Sequence, residues 1–176
     1  MIHIETNLST IAVLAVEKQS ENEAFGSFLQ SVAHPEQIDT LVYSLNNTIS
    51  SKVDCTTCGN CCKTLMINVT EEEADNLATH LQQTRAQFDS TCLEKGGSMM
   101  VINTMPCHFL SNQKCTVYDY RFAGCREFPA LHLPNFTKRI FTTFMHYNRC
   151  PIIYNVVEQL KIEIGFIETV ITEAYY

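Results

Sequence analysis

The run Cys55-Thr56-Thr57-Cys58-Gly59-Asn60-Cys61-Cys62 places four thiols within eight residues. Two residues between cysteines let a tight turn aim both sulfurs at one ion, and Gly59 supplies backbone freedom beside them. Further cysteines follow at Cys107, Cys115, Cys125 and Cys150. Eight thiols suffice for two four-sulfur sites, or for one multinuclear site with bridging thiolates. Soft thiolates suit zinc, copper(I) and iron–sulfur clusters, and they disfavour calcium and magnesium. Adjacent side chains tend to diverge, so Cys61 and Cys62 are expected to serve different metals, or one of them to be no ligand. The ninth cysteine, Cys92, has no partner spacing and is expected to be a small buried hydrophobe.

The later cysteines carry characteristic neighbours: Pro106-Cys107-His108-Phe109-Leu110, Cys115-Thr116-Val117-Tyr118, then Arg121, then Cys125-Arg126-Glu127-Phe128-Pro129, and finally Cys150-Pro151. With the first cluster, these residues resemble the YkgJ-type cysteine-cluster family, named for its CxxCxxCC motif and described as a proposed zinc- or iron-chelating domain. The resemblance runs from Cys55 to Pro151, with eight cysteines in matching order. The family's fourth block reads Arg-Pro-x-x-Cys-Arg-x-Phe-Pro, and here Phe122 stands in place of that proline. The resemblance implies a metal site formed by Cys55, Cys58, Cys61, Cys62, Cys107, Cys115, Cys125 and Cys150, and little about activity.

Closed four-cysteine sites are the usual structural zinc pattern. Yet a chain of 176 residues with 45% hydrophobic content should not need zinc merely to fold. Cys55, Cys58, Cys61 and the distant Cys150-Pro151 echo the ferredoxin arrangement of close cysteines plus a cysteine before proline. The cofactor expectation is therefore Zn2+ or iron, with an iron–sulfur cluster among the iron forms. His108, His132 and His146 are secondary ligand candidates. Tyr118, Tyr120, Phe109, Phe128 and Phe136 are expected to wall the cluster from water.

Charge follows the cysteines. The formal net charge is −7, but Lys52 to Arg149 holds ten basic and nine acidic residues, whereas Met1 to Ser51 holds one and six. A four-thiolate site around a divalent ion keeps a charge of roughly −2. Arg121, Arg126 and Arg149 are candidates to offset it. An acidic chain without a basic run is poorly suited to nucleic acid. The apolar run Ile11 to Val16 is too short for a bilayer and lacks signal-peptide flanks, so the expected location is the reducing cytosol, with no membrane partner. There, paired thiols point to metal or redox chemistry rather than to a disulfide framework, which an odd count of nine also fits poorly.

The elements that must position these thiols read as an α+β fold, predominantly α-helical. An irregular cysteine-rich metal-binding core is packed by N- and C-terminal helices. Phe25, Phe28, Leu29 and Val32 form one helical stripe, and Ile38, Leu41, Val42, Leu45 and Ile49 another behind Pro35. Leu8 to Val16 fits helix or buried strand. Lys63 to Val69 and Met99 to Ile102 read as strands. Thr70-Glu71-Glu72-Glu73 matches a capping box for a helix reaching about Phe88. Arg139 to Tyr147, rich in Phe, Thr and Ile, reads as a strand. From Pro151 a helix carries Ile153, Val156, Val157, Leu160, Ile164, Ile167 and Ile171. The expected organisation is a helical segment 1–54, a cysteine-cluster region 55–151 and a C-terminal helix 152–176, all in one structural domain.

Three functions follow. The first is a cytosolic metal-binding protein with an accessory or metal-handling role and metal ions, plus a candidate protein, as partners. No recognisable catalytic partner set accompanies the thiols. The second is an iron or iron–sulfur enzyme or enzyme subunit, redox or protein-modifying, because related clusters occur in flagellin lysine methylases. The glycine-rich loop of ordinary methyltransferases is missing. The third, a thiol oxidoreductase using Cys55 and Cys58, lacks the βαβ pattern that accompanies such motifs.

Overall fold

Asn7 precedes the ambiguous Leu8–Val16 run in an extended conformation, and its side-chain oxygen accepts from the amides of Ser9 and Thr10. That cap resolves the run as helix α1 (Leu8–Glu17). In the computed structural model, which describes residues 3–97 and 99–166, α2 (Gln19–Ser31) and α3 (Pro35–Ser50) follow, with Pro35 in the first turn. Two single-turn helices come next, α4 (Cys55–Cys58) and α5 (Cys61–Thr64), then strand β1 (Asn68–Val69). Helices α6 (Glu71–His80) and α7 (Arg85–Cys92) lead to strands β2 (Leu93–Gly96) and β3 (Met99–Ile102). A hairpin of β4 (Leu110–Ser111) and β5 (Lys114–Cys115), a 3-10 turn at Tyr118–Tyr120, and α8 (Ala123–Glu127) close the middle of the chain. Helices α9 (Phe136–Phe144) and α10 (Pro151–Glu163) complete it. The fold is α+β and predominantly helical. No helix among the described residues is long and apolar enough to cross a membrane.

The chain divides into two compact units. One joins Met1–Asp54 with Pro129–Tyr176; the other is the continuous segment Cys55–Phe128. In the helical unit, α3 packs on α10 and α9, α2 packs on α9, and α1 packs on α10 and α2. The predicted stripes supply its core: Phe25 and Leu29 from α2, Ile38, Val42, Leu45 and Ile49 from α3, and Ile153, Val156, Val157 and Leu160 from α10. Ile167 and Ile171, expected to extend the α10 stripe, lie outside the described residues. Asn155 of α10 donates to the Glu5 carbonyl at 2.8 Å and accepts from the Glu5 amide at 2.9 Å, pinning the segment before α1.

Arg139 to Tyr147 is not a strand: its first part, to Phe144, belongs to α9, and Met145 to Tyr147 form the turn that follows. The start of α9 is capped from a distance, because the Asp39 carboxylate accepts from the amides of Asn135 and Phe136, each at 2.8 Å. These are two of the orphan donors at a helix N-terminus. Phe136, Ile140 and Thr143 then fall on one buried face. The helix predicted from the Thr70 box to Phe88 is likewise two helices. Gln82 takes a left-handed backbone at φ 56°, which ends α6, and Thr84 with Gln87 forms a second capping box that starts α7. Of the strand expected over Lys63 to Val69, only Asn68–Val69 pairs, because Cys61–Thr64 is helical.

Lys161 is fully buried in the helical unit, and its ammonium donates to Glu21 at 2.8 Å, Asn22 at 2.6 Å and Glu158 at 2.7 Å. Tyr147 donates to the same Glu158 oxygen at 2.7 Å, and Lys18 reaches the other at 2.6 Å. Burial alone would raise the Glu158 pKa. The charge and hydrogen bond of Lys161, then the hydrogen bonds of Lys18 and Tyr147, outweigh burial and hold it below the ordinary carboxylate range.

Two predictions follow for unfolding in urea. Lys161→Met keeps the buried stem but strands Glu158 and Asn22, and should cost about 3 kcal/mol. Adding Glu158→Gln should recover part of that loss, because the uncompensated charge is then gone. The depressed Glu158 pKa means its stabilisation is complete above the unfolded value of about 4.3. It should be lost as pH falls from there through the lower folded value, and Glu158→Gln should flatten that acid limb.

Candidate metal centre

The cysteine unit is built on an apolar cluster. Val69, Ala74, Leu77, Phe88, Leu93, Met100, Ile102, Phe109, Val117 and Phe122 are buried, and Cys107, Cys115 and Cys125 pack partly buried against them. Strands β1 and β2 flank β3 in an antiparallel sheet. Thr70 and Glu73 form the expected capping box at α6. Glu73 does a second job, because its Oε1 accepts from the Ala123 amide at 2.5 Å where α8 begins. Phe122, the residue in the family's proline position, has φ −58° and ψ 153°. A proline would fit that φ. The turn is therefore retained, and the phenyl ring adds to the core at 4% exposure.

These elements bring five of the predicted ligands into one electrostatic neighbourhood. The Cys107 amide donates to the Cys62 carbonyl at 2.8 Å, tying the third cysteine block to the first. Cys115 pairs with Leu110 across the hairpin, and the Leu110 amide donates back to the Cys107 carbonyl at 3.0 Å. The hairpin turn also packs on Gly59. Gly59 has φ +57°, and a Cβ there would stand 2.8 Å from the Gln113 carbonyl oxygen. Glycine is required twice over, for its backbone conformation and for the close approach.

The thiols divide by protonation. The Cys62 thiol donates to the Cys61 sulfur, which with nearby amides and the Arg121 charge lowers the Cys61 pKa to about 6 despite burial. The same hydrogen bond, then burial, then the negative charge of Cys61, Cys107 and Cys115, pushes Cys62 up. Burial chiefly raises Cys107, opposed by the Phe109 amide. Burial pushes Cys125 up to about 12, with Cys107, Cys61 and Cys115 adding and Arg121 opposing. The Cys61 and Cys62 side chains thus meet in a hydrogen bond, although consecutive positions of a helical turn do not face each other.

Three predicted ligands remain, and the helix that holds two of them, α4, packs on β5, the strand that ends in Cys115. Cys55 and Cys58 bound α4, with Cys55 exposed and Cys58 half-buried. Cys150 is buried in the helical unit, immediately before α10. Cys92 is 5% exposed within the apolar cluster, and burial raises its pKa, as suits a small hydrophobe. The donor chemistry fits a soft metal ion, with five half-buried sulfurs drawn from separate segments. Among the described residues, no three His, Cys, Asp or Glu side chains already stand in a metal-holding group.

The neighbours sort differently from expectation. Arg121 is the arginine that acts on the thiols, favouring the charged forms of Cys61 and Cys125. Arg126 acts on Glu73, and Arg149 belongs to the helical unit. Phe109 and Phe122 are the aromatic rings buried among the cysteines. Tyr118 and Tyr120 are 46% and 48% exposed, and Phe136 is buried in the helical unit. His108 bonds Asn103 at 2.6 Å. The burial of the Phe122 ring and the hydrogen bond from the Ala123 amide to Glu73 are the parts of this region not expected from the sequence.

The family model for CxxCxxCC, described as a "putative zinc- or iron-chelating domain", matches residues 54–151, more than half of the chain. No curated protein and no solved structure matches it.

Gly59→Ala should destabilise the cysteine unit by about 1–3 kcal/mol, through left-handed strain and the clash with Gln113. Thermal melting read by near-UV circular dichroism checks this. Gly124→Ala is the contrast, because a Cβ there meets Ile67 at an ordinary 3.6 Å, and it should change little.

Proposed function

The chain belongs to the CxxCxxCC family, and from that membership we propose that it is a cytosolic metal-handling protein, holding zinc or iron through Cys55, Cys58, Cys61, Cys62, Cys107, Cys115, Cys125 and Cys150. The observation that carries the reading is the convergence of Cys61, Cys62, Cys107, Cys115 and Cys125, each of which alters or feels the charge of others in the group. Cys61 is the ready thiolate. Cys62 donates to it, and that bond together with burial raises its own pKa. Cys107 and Cys125 are neutral thiols when no cation is near, and they lose protons as ligands. Arg121 offsets part of the negative charge that accumulates. When bound, zinc or iron supplies a closed structural centre, or in the iron case a redox centre, and Phe109 and Phe122 keep water from the sulfurs.

Metal analysis by mass spectrometry on protein purified anaerobically without chelator tests this reading. At least one equivalent of zinc or iron is expected, and less than about half an equivalent of any metal overturns it. Cys107→Ser and Cys125→Ser should each lose most of the metal, whereas Cys92→Ala should retain it. A local Cys55–Cys58 redox dithiol would give the opposite pattern, with activity surviving both serine substitutions. Visible absorption separates an iron–sulfur centre from zinc.

A further inference from the structure

A pocket of about 450 Å³ on the cysteine unit contains none of the thiols. Glu73, Asn76 and His80 of α6 form one side, and Asp119, Arg121 and Arg126 form the other. Its donors and acceptors are unequally used. Both Glu73 oxygens are committed, Oε2 accepting from the Thr70 amide and hydroxyl and Oε1 from the Ala123 amide. Arg121 spends only Nε, donating to the Tyr118 carbonyl at 2.8 Å, while its guanidinium lies 3.4 Å over the Tyr118 ring. That stacking fixes the plane and leaves both Nη groups without a protein acceptor among the described residues. Arg126 donates from Nη1 to the Arg121 carbonyl, leaving Nε and Nη2 similarly unused. Neither guanidinium forms an ion pair within 4.0 Å among the described residues. His80 and Tyr120, which also line the pocket, stack at 3.7 Å.

Two guanidinium groups on consecutive short elements, one held in plane, face a cavity with their donors unpaired. Guanidinium recognises carboxylate and phosphate through such paired N–H groups. Among the described residues, Asp119 is the pocket carboxylate that has no donor of its own. It disfavours a bare polyanion and suits a ligand that carries a hydroxyl or acidic proton beside its anionic group. We propose that this pocket binds a small molecule bearing a carboxylate or phosphate group together with such a donor, held by Arg121 and Arg126 and oriented by Asp119. Arg121 is shared with the thiols, whose charge it also feels, so Arg126 and Asp119 are the residues that test the pocket.

Isothermal titration calorimetry on the full chain at low salt tests it, with inorganic phosphate and malate as separate probes. Saturable one-to-one binding is expected, and the tighter probe identifies the anionic group. Arg126→Gln should weaken binding about tenfold or more, and Asp119→Asn should tighten phosphate binding about threefold by removing a repulsion. An absence of saturable binding for both probes, or affinities that neither substitution changes, overturns the proposal. If Arg126→Gln does not fold, Asp119→Asn decides alone, because damage to the fold cannot tighten binding. Metal content measured before and after titration keeps this result separate from that of the thiols.

Discussion

Sulfur atoms from separate stretches of chain must be held near one another although they supply almost no attraction of their own. Neutral thiols are weak partners, and thiolates repel. The cysteine unit meets this constraint with groups other than sulfur. The apolar cluster around Phe88, Phe109 and Phe122 gathers the segments. Backbone hydrogen bonds from Cys107 to Cys62, and from Leu110 to Cys107, fix their register. Gly59 allows the hairpin to approach the first cysteine turn closely enough for those bonds to matter. What charge does develop is kept to Cys61 and answered by Arg121. These contacts give the segments a packing that does not rest on sulfur, which fits a chain long enough to build a core without metal.

The helical unit solves a different electrostatic problem. Lys161 sits in the apolar interior, and three acceptors meet its three ammonium protons. A buried charge of this kind adds little net stability over a hydrophobic residue, but it penalises any packing in which a partner is out of place. Glu21, Asn22 and Glu158 come from two helices remote in sequence, so the network specifies how α2 and α10 align.

Local rules made much of this legible in the sequence. The Thr70–Glu73 box, Pro35, the α2 and α3 stripes and the cysteine spacing each carry their signal within a few residues. The misreadings have equally definite causes. The α9 segment has strand-like composition, and its cap is Asp39, nearly a hundred residues away, so no local window contains the deciding interaction. The break between α6 and α7 was readable, because Thr84-x-x-Gln87 is itself a capping box, but the apolar stripe running through to Phe88 masked it. At the site, the candidate thiols were legible from their spacing. The grouping of Cys61, Cys62, Cys107, Cys115 and Cys125 depends on tertiary packing and was not. Nor was the part played by Phe122, whose backbone keeps a proline-compatible turn while its ring joins the core.

The cysteine unit is one uninterrupted segment, whereas the helical unit is assembled from chain on both sides of it. On the ribosome, α1 to α3 emerge before the partners they pack against in α9 and α10 exist. The cysteine segment, by contrast, has every residue of its own core available once Phe128 has cleared the exit tunnel. Domains fold as units in the order their residues emerge. The thiols from Cys55 to Cys125 thus become available together while the unit enclosing them in sequence is still incomplete, and Cys150 follows only with the rest of the chain.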